Sequence, residues 1–322
     1  MQVTFSAENK QRSFEAARQQ ASEAADNFSA GPLQIRSTFH LYVLGGQLNG
    51  TYQWSQLSRE EYREEIQTTD FSESVVSRGG EVYFSRSKEL EPLPISYLRE
   101  LIYFARIIPA VAPVSTATTS VLNGQNVKCY ALDRGPFFSE FSGYKACFDT
   151  DTGVLAAWEW SLNTELHSIE YSRFLHNGNK LFPGTMRRFH NGDLSAEVQV
   201  ESISNATMDA KLFDPPTNAS KQSACKRFQP AGADYTNEYF QIRSDYKSGS
   251  VIIAGSLDDR GKARDTEIQQ SAGPKLDEAA LKALKEVHIH PAKCDGHAVP
   301  SFFRLQIWFS SALHPESFES FR

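Results

Sequence analysis

No apolar run in this chain of 322 residues is long enough to cross a bilayer as a helix. The opening "MQVTFSAENK" also lacks the basic start and apolar core of a secretion signal. Either the protein is cytosolic, or a targeting segment has been removed from this form of it. A basic excess is missing as well: 33 Lys and Arg stand against 39 Asp and Glu, a net charge of -6. Nucleic acid is therefore not an expected partner, because phosphate binding needs a clustered basic surface. Catalytic signatures are absent too. There is no G-x-S-x-G elbow, no H-E-x-x-H, no phosphate-cradling glycine loop and no dinucleotide fingerprint. The carboxylates of "REEYREE" read as a solvated face, not as acid–base machinery. The expectation is a protein that is not an enzyme and carries no cofactor.

Cysteine is scarce, with four: Cys129, Cys147, Cys225 and Cys294. "VKCYAL" and "YKACFDTDTG" both read as strands, so adjacent antiparallel pairing would bring Cys129 and Cys147 within bridging reach. Disulfide and free thiols both stay open at this point, since the redox compartment decides between them. Cys225 and Cys294 sit in looser segments.

What is present is enough apolar residue, 40%, to build real cores, in a length that suits two domains or one large β domain. Residues 10–26 are rich in strong helix formers and read as a helix. The period then changes. In "LQIRSTFHLYV" Leu33, Ile35, Phe39, Leu41 and Val43 fall on one face and polar residues on the other, the pattern of a half-buried strand. Gly45-Gly46, Asn49-Gly50, Gly79-Gly80, Asn177-Gly178 and Asn191-Gly192 punctuate a series of such strands as hairpin turns. One helix interrupts the meander: Ile95, Leu98, Leu101, Ile102 and Ile108 form an apolar stripe that must be covered. Strands resume until "LFDPPTNASKQSACKRFQPAGAD", whose prolines and small polar residues read as a linker. Beyond it come two strands, a short amphipathic helix "LDEAALKALKEV" with Asp277 as expected N-cap and Leu276 stapled to Leu281, and further strands, a β-β-α-β order.

Two features carry the chemistry. "HIHPAKCDGH" sets three histidines and a cysteine within ten positions. Alternation accounts for it without a metal: Val287 and Ile289 face a core, His288 and His290 face solvent, and Gly296 shapes a turn. No metal site is expected there, because no standard ligand spacing is matched. His167 and His176 read as isolated surface or packing residues. The aromatics are the better lead. Leu33, Ile35, Phe39, Tyr52, Trp54, Leu98, Leu101, Ile102, Trp158 and Trp160 are the candidate lining of an apolar cavity, and a filled core is the alternative.

"DDRGKARD" ahead of "SAGPKLDEAALKAL", then "PAKCDGHAVP" and an aromatic last strand, resemble the C-terminal domain of TonB-family energy transducers over residues 236–312. Gly261, Gly273, Leu276, Ala280, Pro291, Gly296 and Phe309 fall where that family places such residues. A membrane anchor, a proline-rich spacer and a "YP" segment, all parts of a classical transducer, are not found. Residues 1–216 resemble the LolA/LolB-type half-barrel of lipoprotein carriers, through "GTYQWSQLSREEYREEI", "GEVYFSRS" and "LFPGTMRRFHNGDLSAEVQVESISNATMDAKLFDPP".

Together the resemblances imply an α+β protein. A curved antiparallel half-barrel sheet (1–216) carries a helix on its concave side, then come a linker (217–235), a small β-β-α-β TonB C-terminal-like domain (236–312) and a tail (313–322). They imply a periplasmic or outer-membrane-associated location, which favours the Cys129–Cys147 disulfide. The implied ligand is a lipid or lipoprotein acyl chain. The implied partner is an envelope protein or peptide, added as a strand along an edge at Ser301, Phe303, Leu305, Ile307 and Phe309. A structural or scaffolding protein with a filled half-barrel is the alternative.

Overall fold

The structure is a computed structural model, and it describes residues 7–28, 31–43, 46–104, 113–132, 141–162, 165–205, 207–222, 228–229, 231–233, 241–244 and 249–311. The chain forms two compact units, Met1–Lys88 with Pro94–Gln222, and Glu89–Leu93 with Ser223–Arg322.

The first unit opens with helix α1 (Ala7–Ala25), where strong helix formers are concentrated, and buries Phe14 and Ala21. Strands β1 (Leu33–Val43), β2 (Gly46–Ser58), β3 (Glu61–Thr68), β4 (Ser72–Arg78) and β5 (Glu81–Arg86) follow as a meander. Helix α2 (Leu93–Phe104) interrupts them. A second meander comprises β6 (Val114–Leu122), β7 (Gln125–Leu132), β8 (Phe141–Asp149), β9 (Leu155–Leu162), β10 (Glu165–Asn177), β11 (Lys180–His190) and β12 (Asp193–Ser204). The two meanders join where β1 pairs antiparallel with β12. With β13 (Ser220–Gln222) on β5, they make one sheet of 13 strands in the order β13-β5-β4-β3-β2-β1-β12-β11-β10-β9-β8-β7-β6.

Local chemistry explains most of the turns. Gly79 and Gly80 both have positive φ, as do Asn191 and Gly192, the backbone that a two-residue hairpin needs. Asn49-Gly50 is different and corrects an expectation, since it lies inside β2. A Cβ on Gly50 would stand 2.5 Å from the Phe39 ring and 2.3 Å from the Gln67 carbonyl oxygen, so glycine serves close packing here and not a turn. Cys129 and Cys147 face each other on β7 and β8 and are joined by a disulfide.

The second unit contains β14 (Phe228–Gln229), β15 (Gly232–Ala233), β16 (Gln241–Ser244), β17 (Gly249–Leu257), β18 (Ala263–Gln270), helix α3 (Pro274–Leu284), β19 (Ile289–His290), β20 (Lys293–Cys294), β21 (His297–Ala298) and β22 (Ser301–Ser311). Its main sheet has four strands in the order β16-β22-β17-β18. Val251, Ile253, Leu276, Ala280, Ile289, Leu305 and Ile307 form its core. The strand-strand-helix-strand order read from the sequence is therefore present as β17, β18, α3 and β22.

Three expectations are corrected in this region. First, α3 starts at Pro274 with Gly273 as N-cap, ahead of Asp277, because proline at the first helical position needs no partner for a missing N–H. Asp277 instead accepts hydrogen bonds from Ala272 N and Ser271 Oγ, and Leu281 is exposed rather than stapled to the buried Leu276. Second, the 217–235 stretch is not a simple linker. β13 extends the large sheet, while β14 pairs with β20 and β15 with β19, so backbone pairing takes up both ends of the stretch. Third, the strand carrying Ser301, Phe303, Leu305, Ile307 and Phe309 is not a free edge along its full length, since its second side is taken up at Phe309. β22 pairs with β17 throughout that span and runs parallel to β16 from Trp308 to Ser311. Its near-continuous apolar alternation suits an inner strand. Cys225, Ile108 and the 313–322 tail lie outside the described residues.

Candidate functional site

The apolar stripe of α2 determines where the site stands. Ile95, Leu98, Leu101 and Ile102 recur at helical spacing and are all between 0% and 2% exposed. They share one hydrophobic core with Leu33, Ile35 and Phe39 of β1, Tyr52 and Trp54 of β2, and Trp158 of β9. Nine of the ten candidate lining residues are thus buried in a single cluster, and Trp160 packs half-buried against it. Trp54 stacks on Tyr62 with ring centroids 4.7 Å apart, and Phe28 meets its edge at 5.5 Å.

Charge holds the helix in place from both sides. On one flank Arg99 reaches Glu64 of β3 at 3.4 Å and Glu73 of β4 at 3.1 Å, and Arg86 of β5 also binds Glu73, at 2.9 Å. Glu64 belongs to the run expected to form a solvated face, and it is buried, so that expectation is corrected at this residue. On the other flank Arg188 of β11 donates to Glu100 at 3.1 Å and lies 3.9 Å over the Tyr97 ring. Between them, Tyr171 of β10 donates its hydroxyl to the Leu101 carbonyl at 3.1 Å. Burial, with Glu100 adding to it, holds the Tyr171 phenol well above the ordinary tyrosine range, so it stays a donor. The helix therefore presents its apolar stripe to the core while its polar residues tie it to three strands and the Leu101 carbonyl ties it to a fourth.

Next to Arg188 lies a group of side chains that reading the sequence for isolated histidines missed. His167 on β10 stands directly opposite His190 on β11, and opposite Trp160 on β9. The three rings stack: Trp160 to His167 at 5.3 Å, His167 to His190 at 4.8 Å with planes 4° apart. Glu165, two residues before His167 and so on the same face, approaches His190 Nε2 at 3.1 Å and His167 Nε2 at 3.8 Å. Arg188 donates to His167 Nδ1 at 3.4 Å. Burial, then Arg188, then His190 push the His167 pKa down to about 3, which keeps its imidazole neutral. The signal was available, because the Gly178 hairpin fixes the β10–β11 register and hence this pairing.

The histidine-rich stretch of the second unit is simpler. Ile289 is buried, His288 is exposed, and the two imidazoles of His288 and His290 meet edge to face at 4.7 Å. Cys294 is in a disulfide and offers no thiolate to a metal.

Residues 241–310 match the family model described as Gram-negative bacterial TonB protein C-terminal. No curated protein sequence matches the chain. Among solved structures, a putative outer membrane lipoprotein-sorting protein domain from Vibrio parahaemolyticus is similar at 11% identity and TM-score 0.42, covering 65% of this chain and 97% of that one. A LolA superfamily protein from Nitrosomonas europaea is similar at 9% identity and TM-score 0.38, over 62% of this chain and 96% of that one. The MucA/MucB complex of Pseudomonas aeruginosa shows 11% identity and TM-score 0.27, over 79% of this chain and 82% of that one. Among the described residues no helix is long and apolar enough to cross a membrane.

Proposed function

We propose that this is a non-enzymatic protein of the Gram-negative envelope, periplasmic or associated with the outer membrane. In this reading its first unit is a half-barrel that binds an acyl chain of a lipid or lipoprotein beneath α2. The observation that carries the reading is the construction of α2. Its apolar stripe covers an aromatic-lined face, yet it is held by ion pairs and one hydrogen bond at its flanks. These are discrete contacts at named residues, and because they are largely buried, lifting the helix costs several kcal/mol that burial of an incoming acyl chain would offset. Curvature is supported by the same contacts. Glu73 on β4 and Arg188 on β11 are five strands apart, a gap of about 24 Å across a flat sheet. One helix with two arginine-length arms meets both far more easily when the sheet curls.

The second unit engages a protein or peptide partner by strand addition. Its match to the TonB C-terminal model supports the envelope location and the partner class. Because β16 takes up the Trp308–Ser311 end of β22, the proposed docking edge is β18, which among the described residues pairs only with β17.

A second reading, a structural protein with a filled half-barrel, is favoured by the near-zero exposure of Leu33, Phe39, Leu98 and Leu101. One experiment separates the two. The protein is purified without detergent from a Gram-negative host, weighed by native mass spectrometry, and extracted with solvent. A co-purifying acyl species, diminished in the variant Leu101→Ala/Ile102→Ala that still unfolds cooperatively, supports the carrier. A clean apo mass together with no binding of a fluorescent fatty acid supports the filled structural protein.

A further inference from the structure

We propose that Glu165, His167 and His190 form a binding site for a divalent transition metal of the zinc class, with three protein donors and a position left for water. Their donor atoms all lie within 4.8 Å of one another, on one face of two adjacent strands. In a tetrahedral zinc site, bonds of about 2.0–2.1 Å place donors about 3.3 Å apart. The Glu165–His190 separation of 3.1 Å already meets that spacing, while His167, 3.8 Å from Glu165 and stacked flat on His190, must turn out of the stack to aim Nε2 at the same ion. Two imidazoles and one carboxylate are a donor set that zinc accepts with an open fourth position.

The surroundings favour the same assignment. Trp160 packs on His167 and screens it from solvent. The side chains of His167 and Glu165 are 11% and 16% exposed and that of His190 33%, so the group is shielded on the sheet side and open to solvent at His190. There is one adjustment. An arginine only donates, so His167 Nδ1 accepts from Arg188 and its proton sits on Nε2. Ligation through Nε2 shifts that proton to Nδ1 and ends the 3.4 Å contact, while Arg188 keeps Glu100 and Ser195. Metal occupancy is in this way connected to the arginine that holds α2.

The test uses the full chain without a polyhistidine tag, stripped with chelator and titrated with Zn2+ by calorimetry, with Co2+ absorption as a second readout. One equivalent is expected to bind. Affinity falls by at least about tenfold in His190→Ala and in Glu165→Gln, while the variant His288→Ala/His290→Ala/His297→Ala keeps wild-type affinity. Glu165→Gln preserves shape and hydrogen bonding, so it reports on ligation where the histidine variant fails to fold. The assignment is overturned by no binding to the wild type, by unchanged affinity in Glu165→Gln and His190→Ala, or by loss of binding in the triple variant alone.

Discussion

Arg188 donates from Nε to Glu100 Oε2 at 3.1 Å, so strand β11 holds helix α2 through an ion pair whose arginine is almost wholly enclosed. The same guanidinium lies over Tyr97, bonds Ser195 and touches His167. One side chain thus joins the helix that closes the core to the histidine group on the sheet. Truncating it exposes what the pair contributes.

Replacing Arg188 by Met should destabilise the protein by about 2–3 kcal/mol. That lies below the full loss for a completely buried pair, because Glu100 keeps partial access to water. Glu100→Gln should cost less, since the neutral amide still accepts from Arg188. Urea unfolding of the two variants and their double mutant measures the coupling.

Gly50→Ala should cost about 1–3 kcal/mol. The added methyl would meet both the Phe39 ring and the Gln67 carbonyl. Removing the ring in a Phe39→Ala background should therefore relieve only part of the strain, because the backbone oxygen remains. Full rescue in thermal melts would show that the ring alone sets the constraint.

Reducing the Cys129–Cys147 disulfide, or replacing both cysteines by serine, should lower stability by about 3 kcal/mol, the value expected from loop entropy for a bridge of this span. Chemical denaturation with and without reductant gives the comparison. Because both residues sit opposite each other in an antiparallel pair, the fold should persist after reduction.

Stability of the metal-free protein should fall on acidification in a window set by His167. Its folded pKa of about 3 lies below the unfolded value near 6.5, so the unfolded chain takes up a proton first. The contribution is present above pH about 6.5 and is lost progressively down to pH about 3. His167→Gln should flatten the dependence of melting temperature on pH between about 6 and 4. An NMR titration in which the His167 ring charges near its ordinary value would refute the assigned burial effect.

Period-2 alternation, the glycine turns and the α2 stripe made the strands and the helix legible, because each depends on residues near one another in the chain. The same local logic set Cys129 opposite Cys147, one hairpin apart, while the compartment implied by the resemblances favoured the bond between them. It failed at Asn49-Gly50, where a turn-forming dipeptide serves the close approach of Phe39 from the neighbouring strand. It did not foresee the end of β22 either, because pairing of its second side from Trp308 to Ser311 by β16 depends on a segment distant in the chain.

The sequence alone determined the number and kind of most elements, the apolar set that must be buried, and the likeness of the last third to a TonB C-terminal domain. Those follow from side-chain periodicity and from spacing within short stretches. Tertiary structure decided which charges are buried and which rings meet: Glu64 turned inward to Arg99, Arg188 reaching Glu100, and His167 set against His190 and Trp160. A charged or titratable side chain has no period of its own. Its surroundings come from strands that are adjacent in space, so its chemistry is defined only once the sheet has closed around it.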